Sequence, residues 1–417
     1  MGITIWLKQK KLIALSILLM TLFIFLITEP RTWEVRIDRR SFLLNGFDSQ
    51  TVEEWRALRN NLKSLSKLGE VLFQNAPEPK IIDSTFQILV WKYGPTIENR
   101  HLKHFSDQRI DPFEGCPVRN CNITYDDEAI TTADIVIMHL HRFNGKQDLP
   151  TRTRLDQIWA FLTDESPLHT FLNGNVKLDD FDGLFNWSMT YRMDSDIPVP
   201  YGRTALKEPF DSQVEVRLDK RRDVLVAILG SNCQGTNHRW KYVAELQKHI
   251  QVDVYGGCGR KKECPGHFQS DCQAIDDYLF YLSFENSNCD EYITEKLWWN
   301  AFHKNSIPIV MGSDKKNYRK ILPPQSYINV DDFASPSALA QNLLRLNKTG
   351  DFKSFYRWKA NFQVLNEHGY FKSKSYHYCR ICQALNYNNK TTKVYDHLTD
   401  FWSIQENCHP AWDTWTD

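Results

Sequence analysis

One polar stretch in the second half of the chain concentrates side chains that can bind a phosphorylated ligand. Lys296 can meet a phosphate as a point charge, and Asn286 offers both a donor and an acceptor. Glu285 and Glu295 can accept hydrogen bonds from ribose hydroxyls, and Tyr292 can stack on a ring or donate. These side chains together predict a nucleotide site.

The surrounding residues predict the elements that would position these side chains. Residues 281–286 (YLSFEN) alternate like a strand, residues 307–311 (IPIVM) predict a buried strand, and Thr294 opens a helical segment between them. The loop of this βαβ unit lies at a strand's carboxyl end and at a helix N-terminus, where backbone N–H groups favour anions. The structural alternative is a helix cap with Glu295 at the favourable end of the dipole.

Residues 284–301 read FENSNCDEYITEKLWWNA, which closely resembles the signature of the α1,3-fucosyltransferases. Similar segments recur between residues 86 and 383, among them FNWSMTYRMDSDIPVPYG at 185–202. The resemblance implies an inverting sugar transferase with GDP-fucose as the donor. It also implies two Rossmann-like domains facing a cleft, the arrangement called GT-B, and a reaction that needs no metal.

A possible catalytic carboxylate follows the apolar run at residues 158–162 (IWAFL). Glycosyl transfer needs a carboxylate that takes the proton from the attacking acceptor hydroxyl. The family resemblance implies that Glu165 is this base, and Asp164 is the competing candidate. The structural alternative is that both residues cap the next turn.

A second doubly wound module is predicted downstream of the first. Residues 224–229 (VLVAIL) and 252–255 (VDVY) predict strands on either side of a helix. Arg239 opens that helix, and its fork of donors can reach a pyrophosphate. The predicted donor-binding residues of this module, three of them matching the family's SN…R pattern, are Ser231, Asn232, Arg239 and Gly256.

The first module is predicted from strands at residues 86–91 (FQILVW) and 133–138 (ADIVIM). The second of these runs ends at His139, His141 and Arg142, a place where site residues collect in α/β sheets. The family carries a similar basic and histidine cluster there. A solvated loop is the structural alternative.

Asp194 and Asp196 form a DxD triplet, a pattern that holds a divalent metal on the nucleotide sugar in other transferases. A metal-dependent transferase is therefore the first alternative function. We favour the reading without a metal or other cofactor, because DxD triplets are frequent and this one lies away from the Lys296 loop.

The N-terminal residues predict a membrane anchor. Residues 12–28 are uncharged and almost wholly apolar, at the short end of a membrane span, and three lysines precede them. A cleaved signal peptide is the alternative, although no small-x-small site follows. The predicted organisation is a cytoplasmic tail (1–11), a transmembrane signal-anchor (12–28), a stem (29–80), an acceptor-side Rossmann-like domain (81–217) and a GDP-fucose-binding Rossmann-like domain with a C-terminal extension (218–417).

Glycosylation sequons and ten cysteines favour the secretory lumen, so we expect a single-pass type II Golgi membrane protein with a lumenal catalytic part. The sequons begin at Asn122, Asn186, Asn347 and Asn389. Cys116 and Cys121 bracket a short loop and predict a local disulfide. The CxxC pair Cys379 and Cys382 predicts a bridge that is either local or runs back to Cys116 or Cys121.

The stem carries apolar residues at three-four spacing, at Trp55, Leu58, Leu62, Leu65 and Leu72. This seam allows a short coiled coil that pairs two chains into a homodimer. Because the seam lasts under three heptads, a helix lying on the catalytic domain is an equal alternative.

The charge balance excludes one class of partner, since 51 basic and 51 acidic residues leave no nucleic-acid footprint. The expected function is α1,3-fucosyl transfer from GDP-β-L-fucose to a GlcNAc of a glycoprotein glycan, in the N-glycan core or in an antenna. A rival of another class is an anchored, non-catalytic Golgi glycan-binding protein. The full set of signature residues argues against that rival.

Overall fold

The computed structural model describes residues 37–104, 108–259, 263–264, 270–390 and 393–410. The predicted cytoplasmic tail, the signal-anchor and the first part of the stem therefore lie outside the described residues. Among the helices of the described residues, none is long and apolar enough to cross a membrane.

Six parallel strands form the first sheet, in the order β3-β2-β4-β5-β6-β7. Residues such as Ile88, Val136 and Phe161 are fully buried, as expected when both faces of a parallel sheet are covered. The strands are β2 (Phe86–Val90), β3 (Cys121–Thr124), β4 (Ile135–His139), β5 (Ile158–Thr163), β6 (Trp187–Thr190) and β7 (Ile197–Pro198).

Five parallel strands form the second sheet, in the order β11-β10-β12-β13-β14. In both sheets the second strand along the chain pairs with one side of the first strand, and all later strands lie on the other side. The strand order therefore reverses at the first strand. The strands are β10 (Val226–Leu229), β11 (Val252–Tyr255), β12 (Phe280–Phe284), β13 (Ile307–Met311) and β14 (Ile328–Asn329). The predicted pair of doubly wound α/β modules is thus confirmed, and open sheets of this order bind ligands where the order reverses.

Helices connect and cover these strands. The short helix that follows β12 continues directly into a π-helical segment, Trp298–His303, whose side chains are mostly buried. The helices are α1 (Ser49–Asn60), α2 (Lys67–Gln74), α3 (Gly94–His101), α4 (Arg239–Leu246), α5 (Glu295–Leu297), α6 (Lys315–Ile321), α7 (Pro336–Thr349), α8 (His377–Tyr387) and α9 (Ile404–Asn407).

Residues 37–80, predicted as stem, fold against the catalytic body. Strand β1 (Ile37–Asn45) pairs antiparallel along its whole length with β9 (Gln213–Arg221). Trp55 on α1 and Leu72 on α2 are buried in different core clusters, while Leu58 is 39% exposed. The apolar seam is therefore split between two helices that lie on the domain, which corrects the coiled-coil alternative.

The predicted domain boundary at residues 217/218 falls inside β9, so a paired strand, not a loose linker, precedes the second sheet. The far end of the chain also returns to the first half. Strand β15 (Phe362–Asn366) pairs antiparallel with β8 (Gly202–Leu206), and α8 packs in the core of the first sheet.

Helix α8 also carries two cysteines that form disulfides with the first half of the chain. Cys379 and Cys382 lie one turn apart and bond Cys116 and Cys121, respectively. The predicted local bridge between Cys116 and Cys121 is wrong, because both cysteines face this helix. The alternative in which the CxxC pair reaches back to them is correct.

Candidate active site

A cavity of about 570 Å³ lies at the carboxyl ends of strands from both sheets. The second sheet contributes the loops after β10, β11 and β12, and the first sheet contributes the loop after β5. The predicted site residues that line this cavity are Glu165, Ser231, Asn232, Arg239, Gly256, Asn286, Tyr292, Glu295 and Lys296. The structure thus gathers them into one contiguous site.

The loops after β10 and β11 approach each other closely at the cavity wall. Gly256 has φ of +81°, and a Cβ there would lie 2.8 Å from the carbonyl oxygen of Gly230, so only glycine fits without strain. A disulfide between Cys233 and Cys258 ties the two loops. The backbone of both loops is thereby held at the cavity surface.

Arg239, the first residue of α4, is a buried cation in the cavity wall. Its Nη1 donates to the Phe284 carbonyl (3.1 Å) and its Nη2 donates to the Asn232 carbonyl (2.7 Å), so it bridges two of the cavity loops. Burial lowers the pKa of the guanidinium, against the attraction of Glu285. Among the described residues its Nε–H has no partner, which leaves a donor for an anion.

Lys296 is surrounded by oxygen atoms at the start of α5. Its Nζ lies 3.0 Å from Glu285 Oε2, 2.8 Å from Thr294 Oγ1 and 3.5 Å from Glu295 Oε1. Burial alone would lower the pKa of Lys296, but Glu285 and Glu295 outweigh it and raise the pKa above its ordinary value. Lys296 is therefore held in its protonated form at the cavity wall.

Glu285 lies behind this wall and does not line the cavity. It is 1% exposed, and its carboxylate accepts hydrogen bonds from the Thr294 N–H (2.8 Å) and hydroxyl (2.9 Å). Burial raises the pKa of Glu285, partly offset by Lys296. The predicted ribose contact is corrected, because Thr294 and Lys296 already occupy these oxygens.

Glu165 reaches the same cavity from the first sheet. Its Oε2 accepts a hydrogen bond of 2.9 Å from the hydroxyl of Tyr292, which belongs to the polar loop of the second sheet. A carboxylate in a cavity wall can accept the proton of a bound hydroxyl. Glu165 thus lies where the two halves of the site meet.

Asp164, the competing candidate, turns away from the cavity and is 4% exposed. Its Oδ2 accepts from Arg100 (3.2 Å), and its Oδ1 lies 3.3 Å from His377 Nε2 and 3.4 Å from His368 Nε2. Burial raises the pKa of Asp164, but these three groups outweigh it and hold the pKa well below its usual range. Asp164 therefore anchors Arg100, which does line the cavity.

Some cavity residues were missed from the sequence. The Arg100 Nη2 donates to the Tyr370 hydroxyl (2.7 Å), and the ring of Tyr201 stacks 5.9 Å from that of Tyr370. Tyr201 belongs to the VPYG segment that resembles the family, which was the one signal for it. The missed residues that supply charge or rings are Arg100, Tyr201, Tyr370 and Phe371.

In the predicted cluster, His139 ends β4 and His141 and Arg142 follow it, but none of the three lines this cavity. His139 is buried, which lowers its pKa to about 4. The Nδ1 of His141 donates to the His169 carbonyl at 3.0 Å. The cluster therefore supports the loop that carries Glu165.

Neither carboxylate of the DxD triplet lines the cavity. Asp194 accepts from Arg192 Nε at 2.9 Å. Asp196 accepts from the Ser188 N–H (2.9 Å), the Tyr395 hydroxyl (2.7 Å) and Lys393 Nζ (2.9 Å). These ties hold the fold together, so the metal-dependent alternative lacks the carboxylates that it requires at the site.

One group in the described residues has the composition and geometry of a metal site, namely His101, Asp164 and His377, which are all buried. Arg100 donates to the same carboxylate. A metal ion there would meet a fixed positive charge, so this cluster fits a structural role better than a cofactor site.

The sequons differ in their surroundings. Asn122 and Asn389 are exposed, and the side-chain Oδ1 of Asn347 accepts a hydrogen bond from Arg222. Asn186 is half-buried, and its Nδ2, the atom to which a glycan attaches, donates to the Lys393 carbonyl at 2.8 Å. The Asn186 nitrogen is therefore already engaged within the fold, unlike the exposed sequons.

Comparison with known proteins agrees with this site. The chain matches the family descriptions "Fucosyltransferase, N-terminal" over residues 83–202 and "Glycosyltransferase family 10 (fucosyltransferase) C-term" over residues 219–402. These two matches cover both sheets and every predicted donor-binding residue. The chain belongs to glycosyltransferase family 10, the fucosyltransferases.

Individual relatives match over most of the chain. Glycoprotein 3-alpha-L-fucosyltransferase A of Drosophila melanogaster is 36% identical over 69% of this chain and 55% of its own length. Alpha-(1,3)-fucosyltransferase 7 of Rattus norvegicus is 33% identical over 78% of this chain and 80% of its own length. A 4-galactosyl-N-acetylglucosaminide 3-alpha-L-fucosyltransferase of Pongo pygmaeus is 38% identical over 64% of this chain and 71% of its own length. A crystal structure of an alpha1,3-fucosyltransferase with GDP-fucose aligns with TM-score 0.46 and 16% identity, over 80% of this chain and 98% of that chain.

Proposed function

We propose that this enzyme transfers L-fucose from GDP-β-L-fucose to a GlcNAc of a glycoprotein glycan, in α1,3 linkage and with inversion. One observation carries the proposal: a single cavity brings the carboxylate of Glu165 together with the cations Arg239 and Lys296. The names of the relatives, which specify 3-alpha-L-fucosyl transfer to glycoproteins or to N-acetylglucosaminides, support the same reaction.

The reaction is a single displacement. The acceptor oxygen forms a bond to the fucosyl C1 while the bond from C1 to the β-phosphate oxygen breaks, and its electron pair leaves with GDP. Lys296 and Arg239 neutralise the charge that grows on the diphosphate, which preorganised cations do well in a closed cavity. Glu165 takes the acceptor proton, a contribution of about 10²–10⁴-fold in rate.

The reaction is proposed to need no divalent metal, because the DxD carboxylates are committed to partners within the fold. The test is transfer in excess EDTA. Activity that survives supports the proposal, and activity that is lost and then restored by Mn²⁺ contradicts it.

The decisive experiment uses the full-length chain purified in detergent with labelled GDP-fucose. The acceptors are an N-glycan that offers only its core GlcNAc and one that offers only antennal lactosamine, with linkage read by mass spectrometry. Transfer to either acceptor supports the proposal and assigns the GlcNAc. Binding of glycan without consumption of GDP-fucose would favour the non-catalytic glycan-binding rival.

The location is proposed to be the Golgi membrane, in single-pass type II orientation with residues 12–28 as the anchor. The lysines before the apolar run, the sequons and the five disulfides support a lumenal catalytic part. Protease added to sealed microsomes should spare nearly the whole chain. Complete digestion without detergent would overturn the topology.

The exposed sequons at Asn122 and Asn389 are proposed to carry glycans. Asn122→Gln and Asn389→Gln should each increase gel mobility and reduce the shift caused by peptide N-glycosidase. Asn186→Gln should leave mobility unchanged, because its nitrogen packs against Lys393. A mobility change in the Asn186 variant would contradict this assignment.

A further inference from the structure

Residues 368–375, here named the cavity loop, carry two aromatic side chains to the site. Tyr370 and Phe371 line the cavity although β15, which precedes them, pairs with a strand that follows the first sheet. The fucosyltransfer proposed above uses no residue of this loop. The proposed reaction therefore does not explain why these two aromatic side chains line the cavity.

The base of the cavity loop is fixed by buried charges. Glu367, 2% exposed, accepts from Arg203 Nε (3.0 Å) and from Arg380 Nη2 (3.1 Å). His368 and Ser375 pair across the loop, and the Glu367 N–H donates to the Tyr201 carbonyl at 3.0 Å. The loop is thus built as a rigid support.

The tip of the cavity loop adopts a costly backbone conformation. Phe371 has φ of 50° and ψ of 43°, the left-handed region that bulky side chains avoid. Such conformations are strained and persist at ligand sites where the surroundings enforce them. The Phe371 ring lies 5.5 Å from the Trp299 ring, and the Tyr370 hydroxyl accepts from Arg100 (2.7 Å).

The position of this tip points to the transferred sugar. Tyr370 stacks on Tyr201, whose hydroxyl donates to the Asp164 carbonyl next to Glu165. The transferred ring must lie between the phosphate cations and the base, since C1 is attacked from the side of the base. The aromatic tip therefore borders the space that the ring occupies.

We propose that Phe371 and Tyr370 are specificity-determining residues that recognise the 6-deoxy sugar of the donor. This inference rests on the proposed fucosyltransfer. Aromatic faces pack well against the apolar C–H face and C6 methyl of fucose. A donor sugar with a C6 hydroxyl would bury that hydroxyl against the rings without a partner, which costs binding energy.

The test compares Phe371→Ala with Lys374→Ala, a control in the same loop that does not line the cavity. Calorimetry measures the Kd of GDP and of GDP-fucose, and kinetics compare GDP-fucose with its 6-hydroxy analogue, GDP-β-L-galactose. For Phe371→Ala we expect the Kd of GDP-fucose to rise about tenfold and the preference for the 6-deoxy donor to fall by a similar factor. The Kd of GDP, which lacks the sugar, should stay unchanged, as should all values for Lys374→Ala.

Tyr370→Phe separates ring packing from the hydrogen bond to Arg100. It should keep the 6-deoxy preference, because the ring remains.

A parallel rise in the Kd of GDP for Phe371→Ala would overturn the inference, since the loop would then only shape the nucleotide site. Unchanged donor binding and preference would also overturn it. A wild-type enzyme that binds GDP-fucose but transfers no fucose would instead contradict the proposed function, while the binding comparison would still decide the inference.

Discussion

The edges of the two sheets build the active site in different ways. In the second sheet, the cavity residues follow β10, β11 and β12 directly and lie close together in sequence. In the first sheet, Glu165 follows β5, but its cavity neighbours Arg100, Tyr201 and Tyr370 come from three distant segments. The nucleotide side is a local βαβ device, whereas the side that carries the base is assembled by the tertiary structure.

Both edges nevertheless use the same electrostatic arrangement. A buried carboxylate behind the wall holds a cation that lines the cavity: Glu285 holds Lys296 at 3.0 Å, and Asp164 holds Arg100 at 3.2 Å. Breaking such a pair leaves an uncompensated buried charge. The two carboxylates therefore set the direction of the cations without touching the ligand.

The largest effect is expected from Glu165→Gln, which removes the proton acceptor and keeps the shape. We predict that kcat falls by about 10²–10⁴-fold while the Kd of GDP stays unchanged. Single-turnover kinetics and calorimetry would measure the two quantities. An undiminished kcat would show that another residue is the base, and the two edges would then not differ in the way described above.

Asp164→Asn should damage stability more than chemistry, because it removes the counter-charge of the half-buried Arg100. We predict a loss of about 1–3 kcal/mol in the free energy of unfolding. Urea unfolding with and without GDP would measure it. A variant with full stability and the kinetic defect of Glu165→Gln would mean that Asp164 acts in the reaction.

Lys296→Ala tests the opposite edge. Losing hydrogen bonds to a charged group costs roughly 1.5–3 kcal/mol, so the KM for GDP-fucose should rise about 10- to 100-fold. Lys296→Arg should restore part of this, since the cations differ in shape. If Lys296→Ala kept the donor kinetics of the wild-type enzyme, the assignment of Lys296 to the nucleotide site would be wrong.

The last prediction concerns acid and the histidines of the first edge. Burial lowers the pKa of His368 to about 3 and of His139 to about 4, and it also lowers the pKa of His101, from an ordinary value of 6.5. Because these folded values are depressed, their contribution to stability is complete above the unfolded pKa and is lost as pH falls towards the folded values. Stability should decline by about 1.4 kcal/mol per pH unit for each proton below pH 6.5.

Urea unfolding at pH 7.5 and 5 would measure this decline, with Lys374→Ala as a control that leaves the histidines in place. Asp164 adds no slope in this window, since its pKa lies below 3.8. A flat profile would show that the histidines titrate normally and that the first edge is less tightly buried than the structure indicates.

The sequence by itself determined the elements of the second edge and the residues that they present. Apolar strands that end in Gly230 or Gly256, and a helix that begins at Glu295–Lys296, fix where backbone N–H groups and charges point, because strand ends and helix starts are local features. Glu165 was also found, through its place after an apolar strand and its resemblance to a family motif.

Only the tertiary structure decided what surrounds the base and what lies behind the wall. Arg100 and Tyr370 are 270 residues apart, and the disulfide from Cys116 spans 263 residues. Such contacts follow from the packing of both sheets with the returning C-terminal segment, and no local pattern records them. The burial of Glu285 was decided in the same way, because a carboxylate at a strand's end points to ligand or to core only once the opposite wall is in place.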